Sequence, residues 1–163
     1  MQETAQTRYE DFLKLQYLPQ VLTHHLGRHD DLPAVTQYIA SEKSWKTLTY
    51  KELHERVQRW ERSFAKMNLE RGSRVAMLMP NCIDAICFDQ AALSRALVPV
   101  PLHAIDTPGS SAFILNDSEA RVLVTTKYLK WKGIRDADTL PNLKAVIITD
   151  DTVPEDDRGN NGS

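Results

Sequence analysis

The sequence predicts an α/β domain: a mainly parallel sheet flanked by helices, preceded by an N-terminal helical segment and a small hairpin. Three observations carry this. Helical periodicity and short apolar strands alternate four times between Thr49 and Ile148, the pattern of parallel strands joined by helices. Val75-Ala76-Met77-Leu78-Met79 is apolar without a break, as befits a strand buried on both faces. Leu53, Val57, Trp60, Phe64 and Met67 step by four, three, four and three, which sets them on one side of a helix.

Along the chain, Thr7 and Glu10 have capping-box spacing, and Tyr9, Phe12, Leu13 and Tyr17 recur at helical intervals. Pro19 separates this helix from a second one carrying Val21, Leu22 and Leu26. Ala34 to Ala40 reads as a strand, the polar stretch Ser41 to Ser44 as its turn, and Trp45 to Thr49 as the returning strand. Thr49 and Glu52 form a second capping box ahead of the striped helix. Gly72 closes a turn before the apolar strand, which Pro80 ends. Asn81 then caps a helix that is apolar almost all round and so expected to be buried, with Asp84 in its first turn.

Val98-Pro99-Val100-Pro101-Leu102 is extended, but its two prolines cannot donate to a ladder, which predicts a short or irregularly paired strand. Thr107 and Pro108 are a cap and a first helical residue. Val122 to Val124 and Ala145 to Ile148 are two further strands, with a weaker helix around Lys127 to Asp136 between them. From Asp150 the composition turns acidic and polar. The expected organisation is one folded unit over 1–149 and a linker or disordered tail over 150–163.

Hydrophobic residues at 42% and charged residues at 26% describe an ordinary soluble domain rather than a disordered or membrane chain. A net charge of -2 gives no overall drive toward nucleic acid. No apolar run has the length of a membrane span, and Met1 to Glu10 lacks the apolar core of a secretory signal. Cys82 and Cys87 are five apart and so off a common helix face; they read as small core residues in a reducing cytoplasm, with neither bridge nor metal.

Local signatures of catalysis are missing. There is no Gly-x-Gly-x-x-Gly after a strand, no phosphate loop and no Gly-x-Ser-x-Gly turn, and glycines number only 6. His24 and His25 are adjacent, which is wrong for two ligands on one face; His29, His54 and His103 are isolated. Asp30-Asp31 and Asp150-Asp151 are loop carboxylates of the ordinary solvated kind.

Two stretches resemble a known family. The first runs Leu48-Thr49-Tyr50-Lys51-Glu52-Leu53, then Gly72, Arg74-Val75-Ala76 and Leu78-Met79-Pro80-Asn81. The second runs Ala92-Leu93-Ser94-Arg95-Ala96-Leu97-Val98-Pro99-Val100-Pro101-Leu102, then Ile114 to Ser118 and Arg121 to Val124. In order and spacing they resemble the N-terminal region of the adenylate-forming superfamily, which includes acyl-CoA synthetases, peptide-synthetase adenylation domains and luciferases. The family usually has glycine where this chain has Ala96; the alanine points to a helix end that tolerates a side chain. Val-Pro-Val-Pro-Leu-His looks closer to fatty-acyl ligases than to peptide-synthetase domains.

The resemblance implies an incomplete part of the large N-terminal domain of an AMP-forming acyl-CoA ligase. Such an enzyme turns acid, ATP and CoA into acyl-CoA, AMP and pyrophosphate, with Mg2+ on the nucleotide. The family's phosphate loop, adenine segment, ribose-binding aspartate and C-terminal lysine lie downstream of the residues matched here. The implied partners are therefore the remainder of the synthetase, a fatty acid and CoA, with no nucleic acid. The chain alone is expected to be inactive and, with its sheet uncovered, to self-associate. Two other readings stay open: a freestanding non-catalytic α/β binding domain, and an adenylating enzyme that loads a carrier-protein thiol.

Catalytic and metal-binding residues are expected to be absent from this stretch. His103 follows a strand end, where α/β folds place ligands, and reads as a substrate-facing residue or a solvated loop histidine. Lys130 and Lys132, with Lys127, Arg135, Tyr128 and Trp131, form the one basic cluster. It suits the phosphates of CoA, an anionic membrane surface touched by a cytoplasmic protein, or simply solvent.

Overall fold

The computed structural model describes residues 5–157. Its order is α1 (Ala5–Phe12), α2 (Pro19–His25), β1 (Pro33–Ile39), β2 (Ser44–Thr49), α3 (Tyr50–Lys66), β3 (Arg74–Leu78) and α4 (Ile83–Ser94). There follow β4 (Val98–Pro101), α5 (Pro108–Asp117), β5 (Val122–Thr125), α6 (Tyr128–Ala137), β6 (Ala145–Ile148) and a short 3-10 turn, Glu155–Asp157. β1 and β2 form an antiparallel hairpin; the other strands form one parallel sheet in the order β4-β3-β5-β6.

Each face of the sheet buries a different helix layer. On one face Val57 and Phe64 of α3 and Cys87, Phe88, Ala91 and Ala92 of α4 close over Val75, Val122 and Val124. Phe88 meets Phe64 and Trp60 edge-on at ring distances of 5.4 and 5.6 Å. On the other face Ala112 and Leu115 of α5 and Ile134 of α6 close over Ala76, Leu78 and Leu123. β5 is buried throughout, so its unbroken apolar sequence is the consequence of two covered faces.

The capping box of α3 is formed in both directions. Thr49 Oγ1 accepts from the Glu52 N–H at 3.2 Å, and Glu52 Oε2 accepts from the Thr49 N–H at 2.9 Å. Thr107 caps α5 by accepting from the Ser110 N–H at 3.1 Å, with Pro108 as the first helical residue.

Four expectations need correction. Thr7 lies inside α1 and is not its cap. Asn81 does not cap α4; Cys82 holds the cap position without a side-chain bond, and Gln37 of β1 accepts the Ile83 N–H at 2.8 Å instead. β4 is short, at 4 residues, but not irregular: Val98 and Leu102 donate to Ser73 and Met77, so alternation turns Pro99 and Pro101 to the outer edge, where a missing N–H costs nothing. Ala96 is not a relaxed helix end. Its φ is +54°, and it sits where a helix stop usually takes glycine: Leu97 N–H reaches Ala92 O at 2.9 Å and Ala96 N–H reaches Leu93 O at 3.0 Å. Asn68 after α3 and Glu119 after α5 are left-handed too, so the chain makes three such stops without glycine.

The acidic segment after β6 is described as far as Asp157, which accepts from Tyr128 Oη and, at 3.0 Å, from Arg135 of α6. Residues 158–163 lie outside the described residues.

Candidate functional site

β3 leads into α4 on one face of the sheet, and its neighbour β5 leads into α6 on the other. Adjacent strands whose connections leave in opposite directions open a crevice at their carboxyl ends, and open α/β sheets bind ligands there. A recess of about 230 Å³ occupies that position. Met79 and Pro80 after β3, Thr126 after β5, and Thr149 and Asp150 after β6 form its floor; Gln37, Lys46, Arg56 and Asp84 complete the walls.

The polar groups of the recess are largely paired. Arg56 donates through Nε and Nη2 to both oxygens of Asp84, each at 2.7 Å, a forked pair that joins α3 to the first turn of α4. The bond from Asp84 raises the pKa of Arg56 further above its ordinary value. Gln37 takes the first N–H of α4. Thr149 Oγ1 donates to Asp150 Oδ1 at 2.8 Å. Behind the wall, burial above all, then the Asp84 charge, pushes the Cys87 thiol up to about 12, so it stays neutral and unreactive. No group of three His, Cys, Asp or Glu side chains among the described residues could hold a metal ion. The recess can lodge a small polar group; it presents no nucleophile with a base beside it.

The structure brings two of the three sequence-derived candidates together, away from this recess. His103 is exposed on the loop after β4, its N–H accepted by Asp106 Oδ2 at 3.1 Å. Lys130 of α6 donates to the Ala104 carbonyl at 3.1 Å, which ties α6 to that loop. Lys132, two residues on, is exposed. Arg135, counted in the basic cluster, is engaged by Asp157 and by Asp136. The recess residues were not found from sequence. Arg56 reads as helix surface, Asp84 as a first-turn acid and Asp150 as the start of a linker; only the strand order sets them side by side.

Fold and crevice together define an open α/β protein with a switch-point site. The sequence matches the AMP-binding enzyme family over residues 22–162, and the chain belongs to that family. It is 31% identical over 112 residues to crotonobetaine/carnitine–CoA ligase of Escherichia coli, covering 67% of this chain and 21% of the ligase. The chain thus spans about a fifth of the length of such relatives. Among solved structures, it is similar to the N-terminal domain of FACL13 from Mycobacterium tuberculosis. There the TM-score is 0.73 at 24% identity, over 83% of this chain and 34% of that one. Coronafacic acid ligase from Pectobacterium brasiliense gives a TM-score of 0.76 at 19% identity, over 90% of this chain and 28% of the ligase. These two likenesses are likenesses of fold.

The recess is only partly open to a magnesium–nucleotide complex. Phosphates need cations and N–H groups left open toward them. Here the Arg56 fork is filled by Asp84 and the Ile83 N–H by Gln37, while Lys46 on the wall has no ion pair among the described residues.

Proposed function

We propose that this chain is the N-terminal part of an ATP-dependent, AMP-forming acid–CoA ligase whose acid is a fatty acid, and that it serves that enzyme as a supporting wall. The observation that carries the reading is the family match over residues 22–162 combined with a switch-point recess whose arginine is already engaged. ATP, Mg2+ and CoA would then be held by downstream polypeptide. His103 would face substrate from the loop after β4, and Lys130 and Lys132 would meet CoA phosphates or an anionic membrane from α6 in a cytoplasmic enzyme. No helix among the described residues is long and apolar enough to cross a membrane.

The test is ATP–pyrophosphate exchange over a panel of acids, run on residues 1–163 and on a polypeptide continued through the family's phosphate loop and C-terminal lysine. The longer protein should exchange with fatty acids and the shorter one with none. Exchange by residues 1–163 unaided would sink the wall reading; a preference for another acid class would remove the fatty acid. In the longer protein, His103→Ala should raise the KM for acid or CoA. Charge reversal at Lys130 and Lys132 should weaken CoA binding in a salt-dependent way. Unchanged constants would return all three residues to solvent.

A further inference from the structure

The contacts that hold α1 and α2 to the rest of the chain centre on a set of aromatic rings. Leu22 is the only core residue of α2, and Tyr9 and Phe12 of α1 are exposed. His25 stacks on Tyr50, the first residue of α3, at 4.5 Å with the ring planes 29° apart. Around it stand His24 and His29, their ring centres 5.5 and 5.7 Å away, and Phe12 of α1 meets His24 edge-on at 6.5 Å. Just beyond this cluster the chain is fastened: Asp30 and Leu32 accept the N–H groups of Lys51 and Tyr50 at 3.2 and 3.1 Å. Between α2 and that fastening lies Gly27, at a φ of +74° and with open space where a Cβ would stand.

We propose that α1 and α2 form a pH-operated arm, docked on α3 while the three histidines are neutral and released about Gly27 when they take up protons, with the parallel sheet still folded behind it. Two features make the cluster sensitive to protonation. The first is a missing acceptor. His25 Nδ1 is buried without a hydrogen-bond partner among the described residues. A neutral imidazole can leave that nitrogen as a bare lone pair, whereas the imidazolium carries an N–H there with nothing to accept it, the costlier state. The second is charge. The charges that reach His25 are those of His24, His29 and Arg28, with no carboxylate among them. Arg28 Nη1 lies 3.4 Å from His24 Nε2, to which it can donate only while that ring is neutral. From α1, Asp11 is engaged by Lys14 at 2.8 Å and by Arg28 at 3.6 Å, and Glu10 acts on Lys14. Asp30 Oδ1 accepts the Gly27 N–H at 2.7 Å. α3 offers the Tyr50 ring and, one turn on, His54, whose Nδ1 is likewise buried and unpartnered among the described residues. The end of α4 and the turn before β3 bring Leu93, Ser94 and Arg71 to α2, and Asp89 of α4 feels burial alone. Protonation thus gathers three imidazolium rings beside Arg28 and meets no unengaged counter-charge in these groups. Burial of His25 acts in the same direction, holding it below the ordinary 6.5, so docking is at full strength above that pH and weakens as the pH falls through it.

The experiment is hydrogen exchange of residues 1–163 at about pH 7.5 and 5.5, with rates corrected for the intrinsic effect of pH. A helix of 7 residues does not persist alone in water, so the amides of α2 report its docking. In acid they should lose about tenfold in protection, while those of Val75, Leu123 and Val124 in β3 and β5 keep theirs. His25→Phe leaves a ring on Tyr50 that takes up no proton, and should hold α2 closed in acid. His24→Gln together with His29→Gln removes two of the three charges and should move the release to lower pH. Equal α2 protection at both pH values in the unaltered chain would overturn the proposal. So would loss of protection in β3 and β5 in step with α2, which marks unfolding of the whole domain, or a His25→Phe chain that opens in acid as the unaltered one does. Should His25→Phe fail to fold, titration of the His25 ring by NMR in the unaltered chain decides: a midpoint that coincides with the opening of α2 supports the arm, and one that does not overturns it.

Discussion

Replacing Ala96 by glycine should make the chain more stable, which is unusual for a change that removes a partly buried methyl group. Ala96 holds φ at +54° because the α4 stop requires it: two backbone bonds reach back to Leu93 and Ala92, and the Ala96 carbonyl accepts the Gly72 N–H at 2.7 Å. A left-handed conformation costs a residue with a Cβ about 1–2 kcal/mol. Glycine escapes that cost but gives up about 0.4–1 kcal/mol through the greater freedom of its unfolded chain. The difference favours glycine by about 0.8 kcal/mol. With a urea slope of about 2 kcal/mol/M, the unfolding midpoint should rise by about 0.4 M at unchanged slope. Ala96→Val is the counterpart and should lower it, since a β-branched residue fits φ > 0 worse still. Asn68→Gly should change little, because asparagine already tolerates the left-handed region. An Ala96→Gly midpoint equal to or below that of the parent would refute the reasoning. It would mean that the methyl group's packing outweighs the backbone strain.

Phe88 is fully buried between Trp60 and Phe64, so Phe88→Ala should cost about 3–5 kcal/mol, read as a fall in the urea midpoint. Arg56 and Asp84 are each about one-third exposed (31% and 33%), so their forked pair should show a coupling of only about 1 kcal/mol in a double-mutant cycle of Arg56→Ala and Asp84→Ala. His25 stacks on Tyr50 at 4.5 Å, and burial first, then His24, His29 and Arg28, holds its pKa below the ordinary 6.5. The unfolded chain therefore binds more protons than the folded one below about pH 6.5, and stability is full above that value and falls as the pH drops through it. Urea midpoints at about pH 7.5 and 5.5 should show the loss, and His25→Phe, which keeps the ring but not the titration, should shrink it. Asp89 works the other way: burial raises its pKa, so its contribution is complete in acid and is lost as the pH rises through the raised value. Asp89→Asn should accordingly stabilise the chain at neutral pH and not in acid, as urea midpoints taken at both would report.

What the sequence made legible was whatever periodicity and capping determine. The α3 stripe, the Thr49 and Thr107 caps and the doubly buried β3 and β5 are local consequences of spacing, and they stand where spacing places them, although the same spacing at Thr7 marks no cap. What it hid depends on partners far along the chain. The α4 start is satisfied by Gln37, 46 residues upstream, so the nearby Asn81 was a reasonable but wrong choice. The prolines of β4 look irregular until the strand is known to be an edge. Arg56 and Asp84 are 28 residues apart and carry no motif; their meeting follows from α3 and α4 sharing one face of the sheet. His103 was singled out as a residue after a strand end. That strand is β4, at the edge of the sheet, one place away from the diverging connections of β3 and β5.

That distinction bears on what this stretch of chain contributes. A switch point offers two assets to an anion: the open N–H groups of the helix that starts there and a positive field undiluted by carboxylates. In this chain the fold takes up part of each. Gln37 of the hairpin takes the first N–H of α4, and Asp84 both occupies the first turn of that helix and fills the fork of Arg56. The same three contacts knit the hairpin, α3 and α4 over the end of the sheet. Freeing the arginine for a phosphate would loosen the joint between those elements. A place that usually receives a ligand serves here in part as a fastening between the hairpin, α3 and α4.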